Sequence, residues 1–350
     1  MTTPPDPIEA EARRALAAWQ LEAASLTPLA GGLINATFRV DAGDGRRAVL
    51  QRLHPVFDPA INLNLERVTE VLAAQGLVTP RLLRTADARA WVTLEGRHWR
   101  LLSFVDGAST EAVDSPARAG AAGALLGRFH LALAAFADAL PCVRPPVHEP
   151  ARHFAALAAA RARHPTHRLA AAVAAIDEDI VELYATLPPI PTQPLRLVHG
   201  DPKISNLLFA PDGTGRCLLD LDTLAHAPLA YELGDAFRSW CNPGAEDAAA
   251  ASFAAALFEA ALGGYASAGR RFMTAQERAA VVPATAAIAL ELSARFAVDA
   301  LEERYFGWAP ARWPARGEHN LVRARNQLAA ARDLLVQRTT LEALARRLLD

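Results

Sequence analysis

Two neighbouring stretches constrain this 350-residue chain more than any other feature: residues 197–209, LVHGDPKISNLLF, and residues 217–223, CLLDLDT. An apolar run of strand character delivers His199-Gly200-Asp201 into a loop, with Lys203 two residues after Asp201 and Asn206 five after it. A second apolar run then presents Asp220 and Asp222. Residues i and i+2 of a strand share a face, so both carboxylates are expected to point the same way. HGD alone is common in turns, and an Asp-rich strand end also suits a calcium or structural site. The full spacing is far more specific than either part.

The residue types point to phosphoryl transfer. That chemistry needs a carboxylate to orient an attacking hydroxyl, oxygen ligands for Mg2+, and positive charge on the γ-phosphate. Asp201 suits the first role, Asn206 and Asp220 or Asp222 offer hard oxygens, and Lys203 supplies the cation. The order Asp, Lys two later and Asn five later matches the catalytic-loop spacing of protein kinases. Lys203 is also the only lysine in a chain whose other cationic positions are arginine. Its location favours a site that needs a compact ammonium over a planar guanidinium.

Length implies two lobes, and 52% hydrophobic residues are enough to bury a core. Before residue 105 the pattern reads helix, two strands, helix, two strands, with a joint near 103–107. Beyond it come long Ala/Leu-rich stretches at helical spacing, over 116–139, 151–187, 245–265, 275–305 and 320–349. The expectation is α+β: a small β-rich lobe over 1–105 and a larger, mainly helical lobe over 106–350. A net charge of −2 argues against a blanket surface for nucleic acid. The cysteines Cys142, Cys217 and Cys241 match neither a zinc site nor a disulfide framework, which favours a reduced, cytoplasmic protein. The apolar stretch near 279–290 contains Pro283 and reads as a buried helix too short to span a bilayer, so no membrane partner is expected.

Glycines between strands let backbone N–H groups approach a triphosphate, which makes Gly31-Gly32 a second candidate, although Gly-Gly is also a common hairpin signal. Over nearly its whole length the chain resembles the aminoglycoside phosphotransferase/choline kinase family, which has a bilobal protein-kinase-like fold. The stretches GGLINATFRV, AVLQRLH, HGDPKISNLLF, LLDLDTLAHAPLAYELGDAFRSW, ELSARFAVDALEERYF and EHNLVRARNQL look closest to its N-acetylhexosamine 1-kinase branch. The resemblance implies ATP and Mg2+ as cofactors and a small-molecule acceptor, phosphorylated at the anomeric hydroxyl of a sugar. It implies Asp201 as the base and Asn206 with Asp220 or Asp222 as metal ligands, beside Lys203 as the catalytic cation. Gly31, Gly32, Asn35, Gln51, Ser103 and Val105 become the nucleotide-binding candidates. Asp235 resembles the buried Asp that ties the catalytic loop to the helical lobe, and His199 is read as a brace for that loop.

One position departs from the family pattern. Gln51 stands where a strand lysine usually holds the phosphates. Either Gln51 takes that role as a neutral donor, or Arg52 reaches in through a bulge, and Glu66 or Glu70 is the candidate helix partner. Arg238, Arg295 and Asp299 are the acceptor candidates, against a solvent-side i,i+4 pairing of the last two. Tyr305 and Trp308 suit either stacking on a sugar ring or the core. The alternatives are a kinase of another alcohol (an aminoglycoside, choline, homoserine or another hexose) and a nucleotide-binding pseudokinase.

Overall fold

The computed structural model describes residues 7–29, 35–248 and 250–350. They fall into two units, one within residues 1–106 plus 137–143, the other comprising 107–136 and 144–350. The glycines Gly31 and Gly32 lie outside the described residues.

In the first unit, α1 (Pro7–Leu16) precedes the strands β1 (Ser25–Pro28), β2 (Ala36–Asp41) and β3 (Arg47–Arg52). Helix α2 (Ile61–Ala74) follows, then β4 (Leu82–Leu83), β5 (Val92–Leu94) and β6 (Arg97–Ser103). The sheet is antiparallel in the order β1-β2-β3-β6-β4, with β5 paired to β6. Period-two alternation sorts its faces. Phe38, Val40, Ala48, Leu50, Trp99 and Leu101 bury against Ala12, Ala15 and Leu16 of α1. Thr37, Gln51 and Arg100 occupy the opposite face in consecutive cross-strand register. β1 and the two-residue β4 were not legible as strands, because neither is long enough to show alternation.

The second unit opens with α3 (Pro116–Leu133), α4 (Pro150–Arg163) and α5 (Ala170–Ala185). Four short strands follow: β7 (Leu195–Val198), β8 (Leu207–Phe209), β9 (Gly215–Leu218) and β10 (Ala225–Pro228). Helices α6 (Leu229–Trp240), α7 (Ala255–Gly269), α8 (Ala275–Glu302), α9 (Arg316–Val336) and α10 (Arg338–Leu349) complete it. The expected helical run 151–187 is broken between α4 and α5 by the His164-Pro165 step, and 320–349 turns at Gln337.

Helix α8 is the axis of this unit. Ser293 donates to the main chain of α9, and Leu290, Ala294 and Ala297 share a core with α4, α5 and α9. At 28 residues α8 is long and apolar enough to cross a membrane, which corrects the reading of 279–290 as too short. Burial within the protein is what accounts for its apolar character. Thr274 and Glu277 close its N-terminus with a reciprocal capping box.

Helices α3 and α7 approach closely through glycines. A Cβ on Gly123 would lie 1.9 Å from the Ala261 carbonyl oxygen, a backbone atom that cannot swing aside. Gly123→Ala is therefore expected to destabilise the protein by roughly 1–3 kcal/mol through overpacking. Urea unfolding checks this: the midpoint should fall with the slope unchanged, and an unchanged midpoint would mean that the two helices separate at little cost.

Candidate active site

Strand β7 pairs with β10, and β8 with β9, so the chain must turn sharply after Val198 to pass from one ribbon to the next. Gly200 makes that turn at φ +85°, where a Cβ would meet the Thr223 carbonyl oxygen at 2.4 Å. The buried His199 fixes the turn from both ring nitrogens. Nε2 donates to the Leu219 carbonyl at 2.7 Å and Nδ1 accepts from the Asp201 N–H at 3.3 Å. That pairing is the neutral Nε2–H tautomer.

Helix α6 clamps the same loop at several points. The Glu232 carboxylate, 1% exposed, accepts the N–H groups of His199 at 3.0 Å and Gly200 at 2.9 Å, and His130 Nε2 donates to it at 3.3 Å. The Ser239 hydroxyl accepts the Ile204 N–H, and Trp240 Nε1 donates to the Pro202 carbonyl at 2.9 Å. The carboxylate that ties the loop is thus Glu232, one helical turn before Asp235 on α6. Asp235 instead binds Arg238, whose Nε donates to Oδ1 at 2.8 Å. The sequence YELGDAFR carries both acids, and only packing distinguishes them.

The loop holds a tight polar cluster. Lys203 Nζ donates to Asp201 Oδ2, and Asn206 Nδ2 donates to the same oxygen at 3.1 Å and to the Asp201 carbonyl at 2.8 Å. Burial alone would raise the Asp201 carboxyl, but the Lys203 ammonium overrides it and holds the group below the usual carboxylate value. Burial also opposes the charge on Lys203, yet Asp201 and then Asp220 keep the ammonium protonated well above the ordinary lysine range. Asp220 and Asp222 do not share a strand face. β9 ends at Leu218, Asp220 adopts a left-handed backbone at φ +60°, and Leu221–Thr223 forms a 3-10 turn. Asp220 is consequently exposed and Asp222 buried, with the Asp222 carbonyl accepting from Arg144.

Among the acceptor candidates, Arg238 lies buried between Asp235 and Glu246, to which its second nitrogen donates at 3.0 Å. Arg295 lies 3.9 Å from Glu291 and over the Phe306 ring. Asp299 does not pair with Arg295. It accepts the N–H groups of Arg304, Tyr305 and Phe306 at 2.8–2.9 Å and the Asn320 amide at 2.8 Å, so it caps the turn after α8. This corrects its reading as an acceptor ligand: α8 ends at Glu302, and the N–H groups of the turn that follows, having no helical or strand partner, take this carboxylate. Tyr305 is half exposed with its ring edge against Phe306.

In the first unit, Gln51 Oε1 accepts from Arg100 at 2.7 and 2.9 Å, and its Nε2 donates to Thr37 Oγ1 at 3.3 Å. Arg100 is buried and also donates to Asn62 of α2 at 3.2 Å. β3 runs without a bulge, and Arg52 faces away toward Glu11 and Trp99, which rules out Arg52 as the strand cation. Arg100 went unread because it is 49 residues from Gln51 and becomes its neighbour only through strand register. Glu66 is occupied by Arg84. The Asn35 side chain accepts the His54 N–H at 2.8 Å, Ser103 Oγ accepts the Arg81 N–H at 2.8 Å, and Val105 follows β6 at the end of the unit.

The model of the phosphotransferase enzyme family matches residues 25–272. Among solved structures, a microcompartment-associated aminopropanol kinase is similar with TM-score 0.65 and 17% identity, covering 96% of this chain and 99% of that one. The amicoumacin kinase hAmiN in complex with AMP-PNP and Ca2+ gives 0.62 and 14%, covering 93% and 96%. An aminoglycoside phosphotransferase from Alicyclobacillus acidocaldarius gives 0.59 and 16%, covering 98% of both. At such identities these likenesses establish a shared kinase-like α+β fold.

Beside the clamp, His148 Nδ1 lies 3.0 Å from Glu291 Oε1, and its Nε2 lies 3.7 Å from Asp235 Oδ1. Burial presses this imidazole toward neutrality, but the two carboxylates prevail and lift it from 6.5 to about 10. A folded-state value raised in this way stabilises the protein fully below the unfolded value and ceases to do so as pH rises through the folded one. The stability advantage of the wild type over His148→Gln should therefore shrink between pH 6.5 and about 10. Urea unfolding across that range checks it; a difference independent of pH would mean that His148 is neutral.

Proposed function

The chain belongs to this phosphotransferase enzyme family, and on that premise we propose that it is an ATP- and Mg2+-dependent kinase acting on the anomeric hydroxyl of an N-acetylhexosamine. The observation that carries the reading is the Asp201 carboxylate, held by Lys203 and Asn206 on a loop that α6 clamps through Glu232 and Trp240. Asp201 orients the acceptor hydroxyl and takes its proton. On this reading Lys203, paired with Asp201, supplies the positive charge for the transferred phosphoryl group.

The donor set fits Mg2+. The Asn206 amide nitrogen is spent on Asp201, which leaves its carbonyl oxygen as an acceptor, and Asp220 is an exposed carboxylate brought forward by its left-handed backbone. Mg2+ needs only one or two such protein oxygens, the rest coming from phosphates and water. Asn206 and Asp220 would hold the ion, which supplies charge neutralisation at the phosphates when bound. In the first unit, Gln51 takes the lysine's place as a neutral donor, its carbonyl fixed by Arg100.

An uncharged acceptor is favoured by how carboxylates are used around the loop. Asp235 is paired with Arg238, Glu246 with Arg238, and Asp247 with Arg312 and His319. Each of these acids is in contact with an arginine, Arg238 serving two of them and Arg312 the third, which leaves fewer carboxylates open to a polycation. The three cysteines form no disulfide, which supports a reducing, cytoplasmic setting.

Asp201→Asn is expected to lower turnover by at least a hundredfold while leaving nucleotide affinity largely intact. Asp220→Asn should instead weaken Mg-ATP binding; unchanged titration would move the metal to Asp222. An ADP-release screen across hexoses, N-acetylhexosamines, amino sugars, choline and aminoglycosides tests the acceptor class. Turnover with N-acetylhexosamines supports the reading, turnover confined to amines reassigns the acceptor, and no turnover at all favours a pseudokinase.

A further inference from the structure

Arg100 stands in the middle of β6 with 1% of its surface exposed. A guanidinium keeps its charge in a protein, so burying one costs free energy unless its donors are met. Two side-chain amides take donors from it. Nε and Nη2 both donate to Gln51 Oε1, at 2.9 and 2.7 Å, and Nη1 donates to Asn62 Oδ1 at 3.2 Å. Strand register dictates the first of these contacts. Gln51 lies directly opposite Arg100 on one side and directly opposite Thr37 on the other. Opposed side chains of an antiparallel pair stand roughly 5 Å apart, so the three meet on one face of the sheet.

This contact decides which way the Gln51 amide points. A primary amide carries one acceptor oxygen and an NH2 with two donors. Two charge-assisted bonds hold the oxygen on Arg100, and a flipped amide would set donors against donors. Thr37 Oγ1 accepts one Nε2 hydrogen at 3.3 Å, which leaves the other for a further acceptor. Gln51 is partly exposed where Arg100 is buried. An incoming phosphate oxygen therefore meets the amide, and the guanidinium acts from behind it.

Helix α2 fixes the far end of the network. Asn62 Nδ2 donates to the Pro59 carbonyl at 2.9 Å, which turns Oδ1 toward Arg100. Asn64 Nδ2 donates to the Cys142 carbonyl at 2.6 Å and its Oδ1 accepts the Cys142 N–H at 2.8 Å, while Cys142 packs with Leu53, Phe57 and Ile61. Glu66, one turn along α2 from Asn62, is taken by Arg84. The helix thus reaches the strands through a neutral amide.

We propose that Arg100 is a positioning residue for the nucleotide phosphates: lodged between Asn62 and Gln51, it locks the Gln51 amide with an N–H outward and polarises it. Hydrogen bonds in series strengthen one another in this way. The assignment rests on the phosphotransfer reading above and goes beyond it in placing this unit's cation on β6 and its helix partner at Asn62. It also accounts for the residue at position 51, where an ammonium would stand against a buried guanidinium.

A double-mutant cycle on the full-length protein tests it, with Arg100→Met, Gln51→Leu and the two combined. Thermal unfolding identifies the variants that remain folded. Calorimetric titration with Mg-ATP gives affinity without an acceptor, and KM for ATP and for acceptor is measured with whichever alcohol is turned over. Each single variant should weaken Mg-ATP about tenfold. The double variant should be no weaker than the worse single one, because Arg100 acts through Gln51. The acceptor KM should stay within about twofold. A folded Arg100→Met with wild-type ATP affinity and KM overturns the proposal. So do losses that add in the double variant, which would mean that Arg100 only supports the sheet. Where Arg100→Met does not fold, Arg100→Lys takes its place: it keeps the charge and loses the two-point hold on Gln51, and the same criterion applies. If no alcohol is turned over but Mg-ATP binds, the kinase reading fails alone and the calorimetric cycle decides. If the wild type does not bind Mg-ATP, both fail together.

Discussion

The Glu232 carboxylate is the interaction on which the catalytic loop depends. Two consecutive main-chain N–H groups, at His199 and Gly200, point into the interior where no strand partner can take them, and Glu232 accepts both. An unpaired buried N–H costs free energy of the order of a lost hydrogen bond, so this carboxylate decides whether the turn can form. Asp201 inherits its position from it, and Asn206 inherits its own from Asp201. The same helix also carries Asp235 and Arg238, so one element fixes the loop and organises the charged groups beside it.

The buried charges of the helical unit are balanced in pairs and networks. His148 sits between Glu291 and Asp235, and Arg238 between Asp235 and Glu246. Removing one partner from such a set strands a charge in the interior, which costs more than the pair contributes. The arrangement therefore resists piecemeal change: two cations serve three carboxylates, so no single group can be removed without leaving another unmatched.

The α+β character of the fold, the helical second unit and the loop cluster were legible in the sequence because they depend on local spacing. Asp201, Lys203 and Asn206 lie within six residues, and the loop must bring them together. What escaped depends on tertiary placement. Glu232 and Asp235 are equivalent acids in one short motif until packing aims one at the loop. Arg100 meets Gln51 only through the register of β3 and β6. The idea that Asp220 and Asp222 share a face assumed that the strand continued, whereas a left-handed Asp220 ends it. Asp299 looked like a surface or pocket residue because i,i+4 spacing says which face a residue occupies and nothing about the chain end that folds back onto it.

The central claim is that Asp201 directs the γ-phosphate of ATP onto an acceptor hydroxyl at the anomeric carbon. Proton-coupled phosphorus NMR of the products formed from ATP and N-acetylglucosamine tests it most directly. The account predicts a new phosphomonoester signal whose coupled proton, identified by proton–phosphorus correlation, is the anomeric one, growing in step with ADP. A phosphomonoester split by two methylene protons would place the phosphate on the exocyclic hydroxyl instead. Inorganic phosphate as the only new species would mean that the loop hydrolyses ATP without transferring it, and either result would contradict the account.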